Sequence, residues 1–231
     1  MSDSDLPGLP PSFVPDDFAT FARIEAELMA AAKVLDGLSP AVSIFGSARS
    51  ASDSWEYITA HKVGRLLAAA NIPVITGGGP GVMGAANSGA AALGGDSVGL
   101  NIQLPMEQHA NPHLTHQVEF RYFLTRKYFL TRYSFAFAIF PGGFGTMDEL
   151  FELLVLYNTN RTERRPIVLV GSEYWADLLR WIMDFQGGAG YIDPEDLGAL
   201  QVLDSPVDIV AALIGRDRMQ AAREREAQLL E

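Results

Sequence analysis

A chain of 231 residues, 48% of them hydrophobic, has enough apolar mass for one substantial core and too little length for two. Zero cysteines exclude disulfides, thiolate metal sites and cysteine nucleophiles, which agrees with the reducing cytoplasm expected as its location. A formal net charge of −11 excludes broad electrostatic affinity for nucleic acid or an anionic membrane. Any phosphate must therefore be held by backbone N–H groups and a few placed cations.

Residues 1–15 contain four prolines and read as a flexible tail without the basic start or apolar run of a leader, followed by a single domain over residues 16–231. Asp16 or Asp17 is expected to cap a helix reaching about Leu38, with Phe18, Phe21, Ile24, Leu28 and Ala31 on one face. A first strand, Val42 to Phe45, ends at Gly46-Ser47-Ala48-Arg49, and a helix from about Ser54 to Ala70 follows. A second strand, Pro73 to Thr76, runs into Gly77-Gly78-Gly79-Pro80-Gly81 and a helix of small residues to Leu93. Ser97 to Ile102 is a third strand, and residues 103–116 form a polar loop with Pro105, Pro112 and three histidines. A short strand over 117–123 and a short helix over 125–134 precede the apolar strand Ala136 to Phe140, which delivers the chain to Pro141-Gly142-Gly143. A helix from Thr146 to about Asn158, a strand Pro166 to Val170, a helix Tyr174 to Phe185, a short helix after Pro206 and a charged helix from Arg216 to Glu231 complete the chain. Strand-length runs of at most a few residues leave nothing that would span a bilayer. The alternation predicts an α/β, Rossmann-like, doubly wound and mostly parallel sheet with helices on both faces.

Such sheets bind ligands beyond the carboxyl ends of their strands, where glycines let an anion approach bare N–H groups at a helix start. Gly79, Gly81 and Gly84 formally fit a dinucleotide fingerprint, but the motif follows the second strand and the expected acid is missing after it, where the chain reads Leu100-Asn101-Ile102-Gln103. No Lys-Ser or Lys-Thr pair follows the glycines, so a P-loop fails as well. A tight strand–helix turn is the alternative, although three consecutive glycines exceed what a turn needs. The stretch Pro141 to Glu152 is more specific: a Gly-rich turn, the Thr146 hydroxyl at the expected helix start, and Asp148, Glu149 and Glu152 in the expected first turns. Thr146 is expected to cap the helix or donate to a phosphate oxygen. Asp148 and Glu152 also fit as ordinary acids complementing the helix dipole, whereas Glu149, one turn after Thr146, faces the same side as a bound anion.

Gly77-Gly78-Gly79-Pro80-Gly81-Val82-Met83-Gly84, the pair Arg126-Lys127, and Pro141-Gly142-Gly143-Phe144-Gly145-Thr146-Met147-Asp148-Glu149 together resemble the LOG ("lonely guy") family, often described as "possible lysine decarboxylase". The resemblance runs from about Val42 to Ile214. It implies a cytokinin riboside 5′-monophosphate phosphoribohydrolase, cleaving AMP or an N6-substituted AMP to free base and ribose 5-phosphate. It places the catalytic roles on Glu149 and Arg126, and phosphate or substrate binding on Gly142, Gly143, Gly145, Thr146, Lys127, Gly78, Gly79, Ser47 and Met83. It implies no cofactor and no metal, a nucleoside monophosphate as the small-molecule partner, and a homodimer or higher homo-oligomer with residues 121–133 near the interface. The family commonly carries a methionine and a polar residue shortly before its Arg-Lys pair; this chain reads Tyr122-Phe123-Leu124-Thr125, so its base-facing pocket is expected to differ.

Two other functions fit the residues: a nucleotide-binding carrier or sensor without catalysis, and a different hydrolase or transferase acting on a phosphorylated sugar. His109, His113 and His116 lie on a Pro-containing loop with only Glu107 and Glu119 for company, which predicts a solvated loop or lid more than a metal site. Of Lys33, Lys62 and Lys127, only Lys127 is near the expected site, where an anion contact suits it better than a Schiff base.

Overall fold

The computed structural model describes residues 17–104, 109–159, 161–198 and 200–229. The expected tail, the cap at Asp16, and Pro105 and Glu107 of the histidine loop lie outside the described residues. The elements in chain order are α1 (Asp17–Val34), β1 (Ala41–Phe45), α2 (Trp55–Ala69), β2 (Val74–Thr76), α3 (Val82–Ala91), β3 (Ser97–Ile102) and β4 (His116–Phe120). After these come α4 (Phe123–Arg132), β5 (Ser134–Ile139), α5 (Phe144–Asn158), β6 (Ile167–Val170), α6 (Ser172–Trp181), β7 (Leu200–Leu203), α7 (Pro206–Ile214) and α8 (Arg216–Leu229).

The strands form one seven-stranded sheet in the order β4-β3-β2-β1-β5-β6-β7, and every pairing is parallel. The order reverses at β1, so the loops leaving β1 and β5 diverge around a crevice at the carboxyl edge, the position where open α/β sheets bind ligands. The two loops touch at that point: the Ser47 N–H donates to the Pro141 carbonyl at 3.0 Å.

The central strands are mostly apolar because both faces are covered, with Ser43, Thr76 and Ser134 the buried polar exceptions. Val42 and Ile44 of β1 pack with Val63, Leu67, Ala86, Val210 and Leu213 on the α2, α3 and α7 side. Ala41 and Phe45, one residue out of phase, pack with Ala31, Phe129, Leu150 and Trp175 on the α1, α4, α5 and α6 side. On α1 the expected stripe is buried only at its far end: Ala31 is enclosed, while Phe18 and Phe21 are 89% and 61% exposed among the described residues.

Several elements differ from the sequence reading, three of them near the site or at the sheet edge. The strand β7, Leu200-Gln201-Val202-Leu203, is not among the expected elements; it is a four-residue edge strand with half-buried ends and an exposed middle. The helix expected to reach Phe185 ends at Trp181 and continues as a π-helical turn over Ile182–Gly187. The helix α5 starts at Phe144, two residues early, with Gly143 as its N-cap. Thr146 is therefore not the cap, no side chain caps this helix, and no acid lies in its first turn. Asp148, Glu149 and Glu152 sit deeper in the helix, where complementing the dipole no longer accounts for them.

Candidate functional site

At the carboxyl edge a cleft of about 690 Å³ opens between the loops after β1, β2, β3 and β5 and the outer face of α4. A volume in the few-hundred-ångström-cubed range suits a nucleotide-sized ligand. Its walls include Ser47, Gly77, Met83, Arg126, Thr146 and Glu149, with Arg49, Ile102, Leu104 and Phe123 at other points of the lining.

Glu149 projects from α5 one turn beyond Thr146, and only 7% of it is exposed. Burial pushes its carboxyl up to about 7, against the pull of the Arg126 and Lys127 charges. At neutral pH this acid is thus divided between its protonated and ionised forms, the state a general base needs. Arg126 comes from the second turn of α4. Its guanidinium lies over the backbone of Gly77, so close that a Cβ there would stand 2.8 Å from Nη2 and 2.8 Å from the Met83 sulfur. A side chain at Gly77 would therefore push aside the ends of the Arg126 and Met83 side chains. Burial works against the Arg126 charge, Glu149 and Asp148 favour it, and its Nε has no hydrogen-bond partner among the described residues. A buried donor without an acceptor is a costly arrangement in a resting protein and a useful one for a ligand.

Lys127, next in sequence, points elsewhere. Its ammonium sits 2.9 Å from Asp148 and 2.9 Å from Glu152 and does not line the cleft. Burial opposes its charge, but its hydrogen bonds to those two carboxylates, with the Glu149 and Glu152 charges, outweigh it and hold the ammonium above its ordinary value. The pair Arg126-Lys127 thus splits into one cation facing the cleft and one pinning α4 to α5.

In the loop Pro141 to Thr146 the N–H groups of Gly142, Gly143, Phe144 and Gly145 have no acceptor among the described residues, whereas that of Thr146 is used within the loop. The Pro141 carbonyl accepts from Ser47, the Gly142 carbonyl from the Tyr174 hydroxyl at 2.6 Å, and the Gly143 carbonyl from the N–H groups of Thr146 and Met147. Gly143 and Gly145 face the cleft, and the Thr146 side chain packs against Gly142 so tightly that no Cβ fits there. Gly142 itself is behind this wall. Gly78 and Gly79 are also outside the lining. The Gly78 N–H donates to Thr76 Oγ1, its carbonyl accepts from the Asn111 N–H, and the Gly79 carbonyl accepts from Asn111 Nδ2. The Gly77–Gly81 turn thus shapes the cleft floor, with Gly77 the residue that meets it.

Two contributors escaped the sequence. Glu27, on α1, accepts from the backbone N–H groups of Arg121 and Tyr122 and from the Thr125 hydroxyl. It thereby caps α4 from a different helix and sets where Arg126 emerges. Tyr174, on α6, holds the Gly142 carbonyl. Both contacts bridge distant parts of the chain, so no local pattern announces them. The histidine loop shows no grouping of three metal-ligating side chains among the described residues, and His116 Nδ1 is 3.0 Å from Thr115 Oγ1. No helix among the described residues is long and apolar enough to cross a membrane.

Comparison with known proteins adds to this geometry. Residues 83–213 match the family described as "Possible lysine decarboxylase". The chain is 31% identical over 155 residues to a cytokinin riboside 5′-monophosphate phosphoribohydrolase of Mycobacterium tuberculosis, covering 66% of this chain and 82% of that protein. It is 31% identical over 140 residues to a pyrimidine/purine nucleotide 5′-monophosphate nucleosidase of Escherichia coli, covering 56% of this chain but only 31% of that longer protein. Among solved structures, a molybdenum cofactor binding protein from Rippkaea orientalis superposes with a TM-score of 0.57 over 76% of this chain and 95% of that one, at 18% identity, a likeness of fold alone.

Proposed function

The chain belongs to the family described as possible lysine decarboxylase, the LOG family, and from that premise we propose that it hydrolyses the N-glycosidic bond of nucleoside 5′-monophosphates. The proposed substrates are AMP or an N6-substituted AMP, and the products are the free base and ribose 5-phosphate. The observation that carries this reading is a buried carboxyl, pushed up to about 7, in the same cleft as the Arg126 guanidinium and one helical turn from a loop of N–H groups without acceptors among the described residues.

The 5′-phosphate is taken by the N–H groups at the start of α5, where the helix dipole favours an anion, with Thr146 beside them. That anchor sets the sugar carbon near Glu149, so binding energy from the phosphate serves orientation at the reacting bond. As the bond to the base lengthens, positive charge grows on the sugar, and the Glu149 carboxylate stabilises it while accepting a proton from the attacking water. Arg126 cannot deliver a proton at these pH values; its unpartnered Nε and planar fork serve to hold phosphate or ribose oxygens. Ile102, Leu104 and Phe123 offer the apolar contact that a purine ring needs.

The chemistry named in the family's description does not fit these residues. A Schiff base needs a neutral amine, and Lys127 is held charged between two carboxylates outside the cleft. The oligomer belongs to the same proposal: Phe18, Phe21 and Tyr128 are exposed on α1 and α4, the surface a second copy is proposed to cover, and a monomeric mass in solution overturns it.

The test is incubation with AMP and with isopentenyl-AMP, reading free base by chromatography. Release from either supports the reaction and ranks the substrates. Binding without release favours the carrier or sensor alternative.

A further inference from the structure

Tyr174 stands outside the cleft, yet its hydroxyl donates to the carbonyl of Gly142 at 2.6 Å. The peptide joining Gly142 to Gly143 is trans, as are all the described peptide bonds, so its N–H points opposite to its C=O. Tyr174 and Pro141 line a separate cavity of about 580 Å³ beside Trp55, Gly171 and Asp204, whereas Gly143 lines the substrate cleft. With the carbonyl pulled toward that outer cavity, the Gly143 N–H is aimed into the cleft.

Among the described residues no other hydrogen bond holds the Gly142 carbonyl. Thr146 and Ser47 crowd the Gly142 end, but at the Gly143 end a Cβ would meet nothing within 4 Å, and the outer cavity leaves the loop without a solid wall behind it. A peptide flip would turn a carbonyl oxygen toward an incoming anion, replacing attraction with repulsion. The neighbouring peptides have their own anchors: Pro141 is held by Ser47, and Gly143 by the first turn of α5. Tyr174 is itself held in place, since its ring packs edge-on against Trp175 at 4.9 Å and the Trp175 indole N–H donates to the Val170 carbonyl. Asp204 fixes the start of the same helix by accepting from the N–H and hydroxyl of Ser172.

We propose that Tyr174 is a positioning residue that holds the Gly142–Gly143 peptide in the orientation required to bind the 5′-phosphate. This rests on the phosphate placement argued above, not on the fate of the glycosidic bond.

The experiment is calorimetric binding of AMP, ribose 5-phosphate and adenosine to wild type and to Tyr174→Phe, which keeps the ring and removes only the donor. AMP and ribose 5-phosphate are expected to bind about five- to tenfold more weakly, the loss of one hydrogen bond to the loop, with adenosine unaffected and the thermal midpoint retained. In turnover the loss should fall on KM and not on kcat. Unchanged AMP binding in the variant overturns the inference, as does an equal loss for adenosine. A wild-type protein that binds AMP but never releases base defeats the proposed reaction and leaves the Tyr174 comparison measurable; a wild type that binds neither phosphate compound defeats both.

Discussion

Two glycine turns leave strands of the same sheet, share composition and have their carbonyls taken up by neighbouring donors, yet they differ in what becomes of their N–H groups. After β2, the turn Gly77 to Gly81 is buried and knitted into the protein: Thr76 takes the Gly78 N–H, and Asn111 takes the carbonyls of Gly78 and Gly79. Asn111 Nδ2 also reaches Asn87 Oδ1, which accepts from Thr76 in turn. After β5, the carbonyls of Pro141, Gly142 and Gly143 accept from the protein, while the N–H groups of Gly142 to Gly145 have no acceptor among the described residues, and Gly143, Phe144 and Gly145 line the cleft. Glycine count therefore does not mark the anion site. Free N–H groups beside the cleft do.

If that contrast is right, the deepest losses come from the α5 side. Glu149→Gln should lower kcat for base release by about a thousandfold, the scale of a lost general base, with AMP affinity within a few-fold of wild type. Arg126→Ala should cost roughly a hundredfold in kcat/KM, the scale of a lost electrostatic contact to the reacting group, and Arg126→Lys should recover only part because a point charge cannot replace a planar fork.

The Glu149 carboxyl also leaves a signature in stability. Its folded-state pKa is raised, so the folded protein holds that proton more tightly than the unfolded chain, and the stabilisation present at low pH is lost as pH rises through about 7. Between pH 4.5 and 8, wild type should lose on the order of 2–3 kcal/mol relative to Glu149→Gln, measured by denaturant unfolding. Parallel pH profiles would show that the carboxyl is not buried as described.

The smallest catalytic effect is expected on the β2 side. Asn111→Ala keeps the backbone N–H on Gly78 but leaves the buried Gly79 carbonyl without its donor, and should cost about 1–3 kcal/mol of stability, while kcat/KM changes only a few-fold. A collapse of AMP affinity in that variant, with stability intact, would break the comparison by making the first turn the anion site.

Much of this was legible in the sequence for physical reasons. The central strands announce themselves because burial on both faces makes them mostly apolar, and Glu149, Arg126, Ser47, Met83, Gly143, Gly145 and Thr146 do meet around one cleft. Gly78, Gly79 and Lys127 do not line it, because spacing along a chain cannot say which way a peptide or an ammonium points. The start of α5 is not legible because Thr146 is a good capping residue by type, whereas the chain caps with Gly143 and leaves the N–H groups open. β7 is not legible because four residues interrupted by Gln201, at a half-exposed edge, give too short a pattern to tell from a loop. Glu27 and Tyr174 act across 94 to 98 and 32 positions of sequence, beyond any local pattern.

The most direct test is the pH dependence of kcat/KM for base release from AMP between pH 5.5 and 9. A rise through about pH 7 to a plateau, absent from whatever residual activity Glu149→Gln retains, is what a half-ionised buried base at position 149 predicts. A flat profile, or a rising limb that survives in Glu149→Gln, would contradict it and move the proton acceptor to another group.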